Sequence, residues 1–434
     1  MSQLSAQRTT RLSGTIRVPG DKSISHRAIM FGALAEGTTR IRGLLEGEDV
    51  LSTAAAMRAM GARIEKQDAE WMVEGVGQKG LSQPEIPLDL GNSGTSARLL
   101  MGICAGYPIS ARFKGDASLS KRPMKRVIDP LTQMGAHFES IDGRLPLTIT
   151  GSADLRAIHY DMPISSAQVK SAILLAGLRA RGITSVREPK PSRDHTERML
   201  AAFGGACTVY PDRIAVDGGQ TLSAPAETLH VPGDPSSAAF PVIAALLTEN
   251  SDVTLTNIGL NPTRTGLYTT LIEMGADIAF LNERKIGGEM VADLRVRGSK
   301  LRGVTVPPGR VPSMVDEFPA LFVAAACAEG EFFADGLDEL RVKESDRLKT
   351  MADNLKACGV ELEEGANSLR IYGTGKPPKG GATAQTHLDH RIAMSFLVLG
   401  LCTPEPVTID DDHAIATSFP GFVAMMNDLG AKIS

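Results

Sequence analysis

Two hydrophobic patterns alternate along the chain. The first is a helix-length run that is apolar on every side and opened by small or polar residues. It occurs as KSISHRAIMFGALAEG (22–37), NSGTSARLLMGICAG (92–106), SSAQVKSAILLAGLRARG (165–182), DPSSAAFPVIAALLTE (234–249), VDEFPALFVAAACAEG (315–330) and LDHRIAMSFLVLGLC (388–402). A helix with no polar face must be buried. The second pattern is an amphipathic helix stopped by Gly and followed by a strand: MRAMGARIE (57–65), LTQMGAHFE (131–139), LAAFGGACTV (200–209), LIEMGADIAF (271–280), LKACGVELE (355–363) and MNDLGAKIS (426–434). Gly reaches the left-handed conformation that ends a helix without steric cost. Strand-like runs such as TTRIRGL, SDVTLTNI and EPVTIDD follow most of the buried helices.

The two patterns interleave with a spacing of about 70 residues, too long for a solenoid repeat and suited to a small subdomain. The phrase VPGD opens two sets of three, at 18–21 and 231–234. This predicts an α/β protein of two similar lobes, 21–230 and 231–434, with three repeats in each. The leading segment RLSGTIRVPG is expected to return as a strand to the second lobe, which assigns 1–20 there. The chain crossings at Pro19–Asp21 and His230–Asp234 are then a natural hinge.

Charge narrows the functional classes. The net charge is only −4, and acids and bases are intermixed, so a general polyanion or nucleic-acid binder is disfavoured. One Trp and five Tyr offer little base stacking. MSQLSAQRTTRL lacks the apolar core of a signal peptide, and no run is long and apolar enough to span a bilayer. The five cysteines are widely spaced, without a metal-ligand pattern, and read as buried free thiols of a cytoplasmic protein.

Positive charge is instead confined to the starts of the buried helices. Lys22 and Arg27 sit in the first, Arg98 in the second and Arg391 in the sixth. A helix start already favours negative charge, so cations there oppose the macrodipole unless an anion joins them. The polar residues around them have a simpler explanation: Ser25, Ser93 and Asp234 are expected as helix N-caps. LSKRPMKRVIDPL adds Lys121, Arg122, Lys125 and Arg126 around Pro123, read as the first residue of a helix. RVKESDRLK places Lys343 and Arg347 four apart, on one expected helix face; Glu344 and Asp346 alternatively make this a solvated first turn. The pattern as a whole points to small substrates with several negative charges, bound at helix starts that converge on an interlobe cleft. GTGKPPKGG fails as a nucleotide loop because Pro follows its Lys.

The motifs GDKSISHR, LGNSGTSARLL, DASLSKRPM, SSAQVKSA, VDEFPAL, RVKESDRL and DHRIAMS, in this order, resemble the 5-enolpyruvylshikimate-3-phosphate synthases of the enolpyruvyl transferase family. The likeness spans essentially the whole chain. It implies lobes of three βαβαββ-type repeats around buried parallel helices, an inside-out α/β barrel. It also implies closure of the lobes over shikimate 3-phosphate and phosphoenolpyruvate, with transfer of the enolpyruvyl group to the 5-hydroxyl and release of phosphate. No metal or organic cofactor is implied. Glyphosate is the inhibitor that the resemblance implies, but SAQVKSA and SRDHTE resemble the bacterial branch that includes many glyphosate-tolerant members, which leaves the degree of sensitivity open. The chain is expected to be a monomer without nucleic-acid or membrane partners.

By motif, the resemblance assigns Lys22, Ser23, Arg27, Ser165, Ser166, Gln168, Arg193, Asp316 and Lys343 to shikimate 3-phosphate. It assigns Lys22, Gly94, Arg122, Gln168, Arg347 and Arg391 to phosphoenolpyruvate. Asp316, with Lys22, falls at the reacting hydroxyl and Glu344 at C3 of the enol. Gly94 is expected to leave room beside the bound anion. One position departs from the pattern: Thr417 stands in ATSFPGF where many members carry Lys. Two rivals remain. One is the sibling transferase acting on a UDP-amino-sugar, whose loop Cys has no counterpart in FKGDASLSKRP. The other is a non-catalytic phosphate-binding protein.

Overall fold

The computed structural model describes residues 3–434. The chain divides into two compact units. Lys22–Val231 forms the first, and the chain up to Asp21 together with Pro232–Ser434 forms the second. Each has its own apolar core.

The first unit contains α1 (Lys22–Leu34), α2 (Glu48–Ala59), α3 (Gly94–Ala105), α4 (Lys125–Met134), α5 (Ala167–Gly177) and α6 (His195–Ala202). The second contains α7 (Pro235–Leu247), α8 (Gly266–Glu273), α9 (Phe318–Cys327), α10 (Arg347–Ala357), α11 (His390–Gly400) and α12 (Phe422–Asp428). The odd-numbered helices are the all-apolar runs. Every residue of α9 and of α11 is buried. The even-numbered helices are the amphipathic set. Each is followed within a few residues by Gly with positive φ: Gly61, Gly135, Gly204, Gly275, Gly359 and Gly430. At these six turns the missing Cβ is what permits the reversal.

The strands repeat one plan. In the sheet 88–89, 110–114, 147–150, 137–140 the first pair is parallel, across α3, and the other two pairings are antiparallel. The sheet built on 159–161 and 183–187 repeats this order around α5. In the remaining sheet of the first unit, Leu229–His230 pairs parallel with Thr38–Arg42, so the end of the unit supplies the strand that precedes α1 in the plan. In the second unit Ser13–Ile16 pairs parallel with Asp252–Gly259 and plays the same part for α7. RLSGTIRVPG therefore does return to the second unit as a strand. The preceding strand, Leu4–Gln7, lies between Val407–Ile409 and Lys432–Ile433 and completes the sixth sheet.

The two VPGD copies meet in the second unit. Gly20 bridges Gly233. The Asp21 N–H donates to Pro232 O at 2.8 Å and the Asp234 N–H to Pro19 O at 2.9 Å. Buried Arg264 then donates to both carboxylates, Asp21 Oδ2 and Asp234 Oδ1, each at 2.9 Å.

Three local expectations are corrected. Ser25 is not an N-cap: it lies inside α1, and its Oγ accepts from Leu45 N–H. Pro123 precedes α4, which begins at Lys125 after Met124. Lys343 shares no helix face with Arg347, because it ends the short 3-10 turn Asp338–Val342 while α10 starts at Arg347. Ser93 and Asp234 do cap their helices, accepting from Ser96 N–H and Ser236 N–H.

Candidate active site

In the first unit the predicted residues gather at the starts of α1, α3 and α5 and in the loops before α4 and α6. Lys22, the first residue of α1, lies 3.1 Å from Asp49 in the first turn of α2. Arg27, one turn on, is buried. Its Nε donates to Thr196 Oγ1 at 2.8 Å, Nη2 to Ser171 Oγ at 2.7 Å and Nη1 to Ser23 O at 2.9 Å. One guanidinium thus joins α1, α5 and α6. A hydroxyl chain likewise joins α1, α2 and α3: His26 Nδ1 to Thr53 Oγ1, Thr53 to Ser96 and Ser96 to Ser93, at 2.7, 2.6 and 2.6 Å. Burial, followed by the charges of Lys22 and Arg27, holds the His26 imidazole well below its ordinary pKa. This histidine is therefore a neutral structural link.

At the start of α3, Arg98 donates to Gln168 Oε1 at 2.8 Å, and Gln168 Nε2 donates to Thr95 Oγ1 at 2.9 Å. Arg122, also buried, donates to Asn92 Oδ1 at 2.5 Å and to Ser118 Oγ at 3.1 Å. The side of Gly94 expected to be open is occupied by these two arginines. A Cβ there would stand 2.7 Å from Arg98 Nη1 and 3.2 Å from Arg122 Nη1. A methyl there would press on the movable ends of two arginine side chains, whereas Gly94 lets both guanidinium groups approach the helix start. At α5, Ser166 caps the helix, and Ser165 Oγ donates to Lys190 O at 2.6 Å and accepts from Lys190 N–H at 2.9 Å. Arg193 is half-buried in the loop before α6.

In the second unit the predicted residues converge on one buried guanidinium. Arg347 Nη1 lies 3.2 Å from Asp316 Oδ1, Nε 2.8 Å from Asp389 Oδ2, and Nη2 donates to Glu344. Lys343 Nζ is 3.7 Å from Asp316 Oδ1, and Arg391 Nη1 donates to Asp316 O at 3.1 Å. Burial alone would lower the Arg347 pKa, but Asp389, Glu344 and Asp316 together raise it, so the charge is permanent. Asp389 also caps α11 through Arg391 N–H. Two carboxylates, Asp316 and Glu344, are thereby aimed by one cation beside the lysine and arginine predicted to accompany them.

Arg98 is marked by the sequence as a helix-start cation and Asp389 stands at a helix start within DHRIAMS, but neither carries a substrate assignment; Arg264 carries no local signal. Thr417 Oγ1 donates to Ala414 O at 2.7 Å within its own turn. Four of the five thiols match their expected burial, Cys104, Cys327, Cys358 and Cys402, while Cys207 is half-buried; burial pushes Cys104 up to about 12. Among the described residues, Asp411, Asp412 and His413 bring three potential metal ligands within 4.8 Å, but His413 is exposed and already bonded to Asp411, so the turn carries no metal reading. No helix among the described residues is long and apolar enough to cross a membrane.

Comparison with known proteins places this geometry. The family model described as EPSP synthase (3-phosphoshikimate 1-carboxyvinyltransferase) matches residues 6–426. Curated proteins named 3-phosphoshikimate 1-carboxyvinyltransferase, from Brucella canis and from Pseudomonas sp. strain PG2982, are each 58% identical over 436 residues, covering 99% of this chain and 96% of theirs. The solved structure of EPSP synthase from Acinetobacter baumannii superposes with a TM-score of 0.88 at 48% identity, covering 100% of this chain and 99% of that one. The enolpyruvyl transferase NikO from Streptomyces tendae shares the fold at a TM-score of 0.77 and 20% identity. With its six repeats, its helix-start cations and this full-length match, the chain belongs to the EPSP synthase family.

Proposed function

We infer that the chain transfers the enolpyruvyl group of phosphoenolpyruvate to the 5-hydroxyl of shikimate 3-phosphate and releases phosphate, a step of aromatic amino-acid biosynthesis. The observation that carries the reading is the pairing of Asp316 and Glu344 on buried Arg347, in a chain matched by the family from end to end.

The residues divide the chemistry as follows. Asp316 takes the proton of the attacking hydroxyl, with Lys22 as its partner in handing that proton to the departing phosphate. Glu344 serves C3: its carboxyl protonates C3 as the hydroxyl adds to C2, and its carboxylate removes a C3 proton as the tetrahedral adduct expels phosphate. Each proton is accounted for, and Glu344 ends as it began. Gly94, Arg122, Gln168, Arg347 and Arg391 hold phosphoenolpyruvate. Ser23, Arg27, Ser165, Ser166, Gln168, Arg193, Asp316 and Lys343 hold shikimate 3-phosphate, with Lys22 serving both substrates. Guanidinium groups already fixed by hydrogen bonds stabilise developing charge without reorganising. The enzyme works as a cytoplasmic monomer, and glyphosate, where it binds, competes for the phosphoenolpyruvate site.

Phosphate release, assayed with each substrate alone and with both, tests this reading. Release only when both are present is expected. No release from folded protein, or release with a UDP-amino-sugar in place of shikimate 3-phosphate, overturns it.

A further inference from the structure

The loop 188–194, EPKPSRD, has no regular structure and two prolines, yet it carries Arg193 and leads into α6. It is held from α5 at two points. Near the start of α5, Ser165 Oγ both donates to and accepts from the Lys190 backbone. Within α5, the Lys170 side chain is only 2% exposed, and its Nζ lies 2.9 Å from Glu188 Oε2 and 2.7 Å from Glu197 Oε1. The same ammonium donates to Ser192 O at 3.4 Å. Glu188 in turn accepts from the Ser192 hydroxyl and, at 3.4 Å, from its N–H.

Burial alone would lower the Lys170 pKa, but Glu197 and Glu188 raise it, so the triad is ionic. A buried ion cluster is a poor source of net stability, because apolar residues of similar volume often serve as well. What it supplies is direction: a compact ammonium between two carboxylates fixes both chains that carry them. Here those are the loop before Arg193 and the first turn of α6. In that turn the neighbouring Thr196 accepts from Arg27.

We propose that Lys170 is a positioning residue for the acceptor substrate: by holding Glu188, Glu197 and Ser192 it sets Arg193 against Ser165 and Ser166, the side chains that grip the phosphorylated end of shikimate 3-phosphate. It does so without touching the substrate. The proposal rests on the assignment of those three side chains made above.

The test is steady-state kinetics of Lys170→Met, Lys170→Arg and Glu188→Gln, with each substrate varied in turn and the melting temperature recorded. Misplacing a binding loop by about 1 Å costs up to about 100-fold. Lys170→Met is expected to raise the KM for shikimate 3-phosphate at least tenfold, with kcat and the KM for phosphoenolpyruvate within threefold. Lys170→Arg, which can hold both carboxylates, is expected to recover most of the loss. Should Lys170→Met not fold, Glu188→Gln carries the test, with a selective rise of threefold or more expected. Equal rises in both KM values, or no rise in a folded variant, overturn the proposal while the activity stands. A wild-type protein that does not bind shikimate 3-phosphate overturns the functional reading and this inference together.

Discussion

The two units hold their arginines in different ways. In the first, Arg27, Arg98 and Arg122 donate to hydroxyls, side-chain amides and backbone carbonyls. In the second, Arg347 and Arg264 each gather carboxylates: Asp316, Glu344 and Asp389 around one, Asp21 and Asp234 around the other. Neutral acceptors aim a guanidinium without cancelling its charge, whereas carboxylates cancel it and are themselves aimed. The first arrangement suits a surface that receives anions. The second suits one that presents acids and bases. Lys22 and Lys170 depart from this, as first-unit cations held by carboxylates, Lys22 by Asp49 and buried Lys170 by Glu188 and Glu197.

The largest expected effect comes from breaking the second arrangement. Arg347→Met leaves Asp389, fully buried, without its main counter-charge. Removing one partner of a buried ion pair costs about 3–5 kcal/mol. Arg122→Met, which removes hydrogen bonds to neutral oxygens, should cost about 1–2 kcal/mol. Urea unfolding of the two variants measures both, and equal losses would erase the distinction between the units.

Lys22→Met comes next. It removes the cation at the start of α1, and turnover is expected to fall about 100-fold with the melting temperature little changed. Turnover near the wild-type value would reduce Lys22 to a partner of Asp49.

Gly94→Ala should act through its neighbours. Its methyl would press on the ends of Arg98 and Arg122, so the KM for phosphoenolpyruvate is expected to rise about tenfold, or about 1.4 kcal/mol. An unchanged KM would mean that the two arginines yield without loss.

The smallest effect concerns His26. Its folded-state pKa is depressed by burial and by Lys22 and Arg27. The unfolded chain then binds a proton that the folded one refuses, so stability is full above the unfolded pKa of about 6.5 and is lost as pH falls below it, by at most about 1.4 kcal/mol per pH unit. Comparing unfolding of the wild type and His26→Gln from neutral to acid pH isolates this contribution. Parallel curves would show that the imidazole titrates freely.

Much of this was legible in the sequence because it is local. All-apolar runs, Gly stops and cations at helix starts each report on a few neighbouring residues, and these patterns placed the twelve helices of the described residues and marked Lys22, Arg27, Arg98 and Arg391. What escaped depends on distant partners. Leu4–Gln7 completes a sheet with residues some 400 positions away, and nothing in LSAQ announces it. Arg264 gains meaning only from the two VPGD aspartates it joins. Gly94 was read as leaving room for an anion, and the two arginines beside it could not be foreseen from its own stretch, since Arg122 approaches from another loop. Lys343 and Arg347 looked like a helical pair because spacing alone cannot show that α10 starts only at Arg347.

The central claim is that the carboxylates held by Arg347 react, with Glu344 acting at C3 and not as a contact of shikimate 3-phosphate. It is tested most directly by titrating shikimate 3-phosphate into the Glu344→Gln protein in a calorimeter and measuring turnover of the same sample. The account predicts a dissociation constant within about threefold of wild type and turnover at least about 100-fold lower. Affinity lost in step with turnover, or turnover near normal, would contradict it.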